Sequence, residues 1–129
     1  MLRIGTTVVG VTDFRRAIAF WTQALNYVPK REIREDDTFM ILVPRDGGSG
    51  AHLALDVSVS PVQEHPRVHL DLFAGETADQ LAEVERLVSL GATRVDWDLY
   101  PENPDFIVLA DTEGNRFCVI DTTGANPIG

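Results

Sequence analysis

The chain has 129 residues, 44% hydrophobic and 24% charged, which is enough for one domain with a real core, too little for two independent ones, and too apolar for a disordered chain. Twenty acidic against eleven basic side chains leave a net charge of −9, and the pairs Arg15-Arg16 and Lys30-Arg31 are too few and too interleaved with acids to form a face for nucleic acid. The single cysteine, Cys118, excludes an internal disulfide and fits a reducing, cytoplasmic location. The start Met1-Leu2-Arg3-Ile4-Gly5 lacks a signal-peptide pattern and no apolar run approaches the ~20 residues that cross a bilayer, so neither export nor membrane anchorage is expected.

Two stretches read as the same unit written twice. The first opens with a strand-like run from Leu2 to Val11, then Asp13, then a helical stripe of Phe14, Ala17, Ile18, Trp21, Ala24 and Leu25. Asn26 is a natural helix stop, because asparagine tolerates the left-handed conformation. Strands are expected at Pro29–Arg34, Phe39–Val43 and His52–Val57, with Glu35-Asp36-Asp37 as a tight turn. Gly47-Gly48-Ser49-Gly50 has no following Lys-Ser/Thr and no helix start, so it reads as a hairpin turn rather than a phosphate loop. Ser58–Pro66, with mixed polar residues and two prolines, reads as a linker.

The second unit repeats the order. A strand is expected over Arg67–Phe73, and Thr77-Ala78-Asp79-Gln80 has the spacing of a capping box. The helix that follows carries Ala78, Leu81, Val84, Leu87 and Val88 and closes at Leu90-Gly91. Strands at Thr93–Trp97, Phe106–Ala110 and Arg116–Asp121 complete it, with Asp98–Pro104 as a loop. The expected organisation is one domain, 1–129, with module one at 1–57, the linker at 58–66, module two at 67–121 and a loose tail at 122–129.

This tandem βαβββ pattern resembles the vicinal oxygen chelate superfamily of glyoxalases, bleomycin-resistance proteins and extradiol dioxygenases. The resemblance is carried by Asp13 to Leu25, by Arg67-Val68-His69-Leu70-Asp71-Leu72, by Leu90-Gly91-Ala92 and by Asp111 to Val119. Together they are similar to the glyoxalase-like bacterial subgroup, although Thr112 stands where that family usually has proline. The resemblance implies an α+β fold: a curved, eight-stranded, mixed but mostly antiparallel sheet with helices outside and a concave pocket. It also implies pairing of chains, so a homodimer is expected.

Enzymes of the family hold a divalent metal with one ligand from the first and one from the last strand of each half. By that resemblance the four positions fall on Thr6, on His69, on Cys118, and on Leu53 or Leu55. One imidazole beside a hydroxyl, a thiol and an alkyl group is a poor donor set, so no cofactor is expected. Should a divalent metal bind, the sequence offers His69 and Cys118, joined by His52 or Asp56 if the fourth strand slips by one residue.

His69, Asp71 and Phe73 alternate along one strand and should share a face, with Val68, Leu70 and Leu72 packed under the helices. Asp71 either charges and orients His69 for general acid or base work, or simply pairs with it in a wet groove. Cys118 is either a thiolate stabilised by Arg116 or a small buried apolar residue. Trp97 and Tyr100 flank an acidic loop that either closes over a planar ligand or packs as an ordinary hairpin. His52 and His65 read as surface or rim histidines. The acidic runs solvate turns or draw in a cationic ligand.

Three functions compete. One is a metal-free pocket that binds a small, partly aromatic molecule, contacted by Thr6, His69, Asp71, Phe73, Trp97, Tyr100 and Cys118. Another is an enzyme, acting through a metal as a lyase, isomerase or dioxygenase, or without one through His69 and Asp71. The third is a non-catalytic interaction domain. Only the first two need a ligand in the concave face.

Overall fold

Asp13 sets the start of the first helix. Its backbone is extended and its side chain accepts from the Arg16 amide at 3.1 Å. Helix α1 (Phe14–Leu25) buries Phe14, Ala17, Ile18, Phe20, Trp21 and Ala24. Asn26 ends it at φ 55° and ψ 47°, its amide bonded to the Thr22 carbonyl. The computed structural model describes residues 1–123, and these fall into two compact units that divide between Pro61 and Val62. Most of the predicted loose tail lies outside the described residues. Its first two members are not loose: the Thr122 amide donates to Gly75 and the Thr123 amide to the Asp121 carboxylate, each at 2.9 Å.

In the first unit, β1 (Thr6–Val11) runs parallel to β4 (His52–Val57), and β3 (Phe39–Pro44) and β2 (Tyr27–Pro29) follow antiparallel, giving the order β1-β4-β3-β2. Met40, Leu42, Leu53, Ala54 and Leu55 are buried. The glycine-rich segment forms a hairpin turn, with Gly47 at φ 72° and its amide on the Pro44 carbonyl. The strand expected at Pro29–Arg34 instead covers Tyr27–Pro29. Beyond it the Asp37 carboxylate takes the Arg31 guanidinium in two bonds of 2.8 and 2.9 Å and the Arg34 amide at 2.6 Å. A local side-chain claim on that backbone displaces the ladder.

The second unit repeats the topology as β5-β8-β7-β6. Here β5 (Asp71–Gly75) is parallel to β8 (Arg116–Asp121), which pairs antiparallel with β7 (Phe106–Ala110), and β7 with the two-residue β6 (Thr93–Arg94). Both units are therefore βαβββ, with eight strands in two mixed sheets of four and two helices, an α+β fold. Strand β5 starts four residues later than expected and β6 ends three residues early. Val68 precedes the ladder and is 79% exposed rather than packed under a helix.

Helix α2 (Thr77–Ser89) also starts differently. Its cap is Glu76, whose amide donates to the Asp79 carboxylate at 3.2 Å, so the capping box sits one residue earlier than Thr77 and Gln80. The predicted partners are diverted. Thr77 donates to Asp121. Gln80 is 6% exposed and donates to the carbonyls of Asp105 and Val119, each at 3.0 Å, tying α2 to the last strand.

Gln80→Ala removes both bonds and strands two carbonyl acceptors under the helix. The expected loss is about 1–3 kcal/mol of unfolding free energy, measured by urea denaturation; an unchanged midpoint would show that the tie is not structural.

Candidate functional site

The last strand is aimed by the turn before it. Asp111 is 3% exposed, and its Oδ1 accepts the amides of Glu113 and Asn115, both at 2.9 Å, while Gly114 takes φ 90°. The chain then enters β8 with Arg116, Cys118 and Ile120 on one face. Parallel pairing places Asp71 opposite Cys118, and the Cys118 amide donates to Leu70 at 2.9 Å, which holds the residues just ahead of β5 against β8. His69 Nε2 consequently lies 3.0 Å from Asp71 Oδ1. One ligand atom from each of His69, Asp71 and Cys118 lies within 4.8 Å of the other two.

This trio forms the polar end of a cavity of about 380 Å³. Val108, Cys118 and Ile120 are its buried base, with Val95, Trp97 and Phe106 packed against them. Pro66, Leu99, Asp105, Arg116 and Phe117 complete the lining. Trp97 is held from behind by His65, ring centres 4.9 Å apart, and His65 Nε2 is 2.8 Å from Asp98 Oδ1. That bond to His65 holds the Asp98 carboxyl below its ordinary value.

Cys118 is 7% exposed. Burial first, then the charge of Asp71, its hydrogen bond with the thiol, and the charge of Asp105 push the thiol up to about 12. Of the two readings of Cys118, the small buried residue is the one these effects support: burial, and after it the carboxylates of Asp71 and Asp105, all oppose a thiolate.

Among the sequence candidates, His69, Asp71, Trp97 and Cys118 line this cavity. Phe73 follows His69 and Asp71 along the chain but is 72% exposed and does not line it. Tyr100 braces the loop instead, its hydroxyl accepting the Val108 amide at 2.9 Å and its ring 5.3 Å from that of Phe106. His65 is an exposed histidine, as read from the sequence, and it is engaged by Asp98 and Trp97. Thr6 and His52 face each other at the start of β1 and β4 in the first unit, and Asp56 is exposed on β4.

Register also corrects the counterpart of Cys118. The two helices are capped by Asp13 and Glu76, so Val8 and Asp71 stand at the same distance ahead of their caps. Val8 pairs with Ala54 as Asp71 pairs with Cys118, so the matching position is Ala54, between Leu53 and Leu55. The sequence did not mark Pro66, Leu99, Asp105 or Phe106, because only pairing of non-adjacent strands brings them together.

Against known proteins, the profile of the Glyoxalase-like domain matches residues 6–120. The chain belongs to the glyoxalase-like family. Among curated proteins none matches its sequence. Solved structures with the same fold include a hypothetical protein from Staphylococcus aureus (TM-score 0.69, 15% identity, 94% of this chain and 95% of that one). A glyoxalase/bleomycin resistance protein/dioxygenase family enzyme from Burkholderia phytofirmans is equally similar (TM-score 0.68, 15% identity, 91% and 96%). So is the fosfomycin resistance protein FosX from Listeria monocytogenes (TM-score 0.67, 15% identity, 93% and 91%). A mutant of the latter was crystallised with Mn(II) and a dihydroxypropylphosphonic acid. Among the described residues no helix of the glyoxalase-like chain is long and apolar enough to cross a membrane.

Alkylation of Cys118 by iodoacetamide should keep accelerating through pH 10 without reaching a plateau, because the thiolate forms only near 12. Asp71→Asn removes a charge that opposes ionisation and should bring the rise to lower pH; a plateau near pH 9 in the native protein would show that the thiol is not perturbed. The sign for stability follows. The folded state keeps the thiol proton that the unfolded chain gives up near 9.0, so this contribution is intact below pH 9 and is lost as pH rises toward 12.

Proposed function

We propose that this glyoxalase-like protein binds a small, partly aromatic organic molecule in the cavity of its second unit, without needing a metal. The observation that carries the reading is the cavity itself: about 380 Å³, mostly apolar, walled by Trp97 and Phe106 and ending in the His69–Asp71 pair. That volume suits a one- or two-ring molecule, and a few convergent polar groups in an apolar pocket are what orients such a ligand. His69 and Asp71 supply one donor and acceptor pair for a polar substituent. A cytoplasmic homodimer belongs to the same reading, supported by the lone reduced cysteine and by exposed Val8, Val57 and Phe73 on the strands.

A second reading is favoured by one specific observation, the clustering of His69, Asp71 and Cys118. An imidazole nitrogen, a carboxylate oxygen and a sulfur fit a three-ligand catalytic zinc centre better than a hard manganese or magnesium ion. Such a metal would supply Lewis acidity at the polar end of the cavity. Binding it would require Cys118 to give up its proton and Asp71 to share its carboxylate between metal and His69.

Titration with the neutral probe 2-naphthamide, followed by calorimetry and by Trp97 fluorescence, tests the first reading. Binding is expected, and Trp97→Ala should weaken it roughly tenfold by removing the aromatic wall. His69→Ala should weaken it less. No heat and no fluorescence change would sink the assignment. Incubation with zinc or manganese and dialysis tests the second: about one retained ion per chain, lost in both Asp71→Asn and Cys118→Ser, would put the metal reading first.

A further inference from the structure

We infer that Arg116 is an anion anchor and that the cavity takes an amphipathic organic anion, an apolar or aromatic body carrying a carboxylate or similarly charged head. This rests on the cavity of the second unit being a ligand site. Among the residues that line it, Arg116 alone carries a permanent positive charge. It lines a neighbouring hollow as well, together with Trp97, Glu64, Asp96 and Asp98.

The guanidinium is poorly satisfied for so crowded a place. Its Nε is buried without a hydrogen-bond partner, and Nη1 reaches only the Gly114 carbonyl, at 3.4 Å. No described carboxylate forms an ion pair with it, although three acids share its hollow. Two of the nearby acids are committed elsewhere, Asp98 to His65 and Asp71 to His69. A guanidinium offers five donors in a planar fork, and leaving the buried Nε unmet at the edge of an apolar cavity is costly. A ligand that brings its own planar anion meets the fork with two parallel bonds.

Strand register gives the ligand a direction. Arg116 begins β8, and the Asp71↔Cys118 pairing continued back two residues places His69 on the chain beside it. Asp105 lies at the other end of β8, its carbonyl accepting the Asp121 amide at 2.7 Å. The anionic head therefore belongs at the Arg116 end, where the one cation is, and the body lies along Trp97, Phe106, Val108 and Ile120, away from repulsion by Asp105. The net charge of −9 works against long-range attraction of an anion, so the selectivity is local and short-ranged.

The test compares three probes that share one ring system, 2-naphthoate, 2-naphthamide and 2-naphthylmethylamine, by calorimetry on the whole chain. Naphthoate is expected to bind roughly tenfold or more tighter than naphthamide, the difference a charge-assisted pair supplies. Arg116→Gln should bring naphthoate down toward the naphthamide level and weaken naphthamide itself far less than naphthoate. Arg116→Lys keeps the charge without the fork and should fall between. The preference in the native protein should also shrink as salt is raised, a measurement that stands even if a variant fails to fold. Equal binding of naphthoate and naphthamide overturns the anchor while leaving the cavity as a neutral ligand site. Tighter binding of the amine overturns it in favour of a cation drawn by the acids. Failure of all three probes overturns the cavity reading along with the anchor.

Discussion

The parallel pairing of β5 with β8 is the constraint on which the second unit depends. Asp71 and His69 arrive from the start of the unit and Cys118 from its end, and only the match of Asp71 with Cys118 brings them to one place. A shift by one residue would turn the whole row over, sending Leu72 toward the cavity and Asp71 toward the helix. The register is pinned at both ends. The Leu70 carbonyl holds the Cys118 amide at one end, and at the other the Gly75 carbonyl holds the amide of Thr122. Gln80 adds a third pin from the helix, since its amide group bonds the Val119 carbonyl from outside the ladder.

The same geometry engages the polar groups of the site with one another. A thiol placed in a packed strand beside a carboxylate is held in its neutral form, and a carboxylate beside a histidine is held as that histidine's partner. Each of these groups has a partner: Cys118 across the β5–β8 ladder, and His69 and Asp71 in one another, two residues apart. The guanidinium of Arg116 is the exception, and the turn built on Asp111 explains its position: with the amides of Glu113 and Asn115 both taken by one carboxylate, the chain leaves the turn in a single direction and Arg116 follows it.

The sequence was most legible where a local signal decided the structure. Strands β4, β7 and β8 lie where alternation and flanking turns placed them, and α1 ends on Asn26, whose capping chemistry announced it. The reading failed where a side chain from elsewhere intervened. Thr77 and Gln80 have the spacing of a capping box, but Asp121, Asp105 and Val119 claim them across the fold, and Glu76 with Asp79 take over the cap. Asp37 likewise takes the Arg34 amide that a strand would have used. For the site, His69, Asp71 and Cys118 were visible as chemistry, but their convergence belongs to strand register, and the apolar half of the cavity carries no motif at all.

Tyr100 has a consequence beyond bracing its loop. Strand β6 is only two residues long, so β7 has almost no neighbour on that side, and the Val108 amide is met by a phenolic oxygen instead of a backbone carbonyl. One side-chain bond thus replaces a stretch of sheet. The segment from Asp96 to Pro104 is released from the spacing that a ladder would impose, and insertions or exchanges there leave β7 and β8 in place as long as one hydroxyl still reaches Val108. A lineage built on this chain can revise one wall of the cavity while inheriting its floor unchanged.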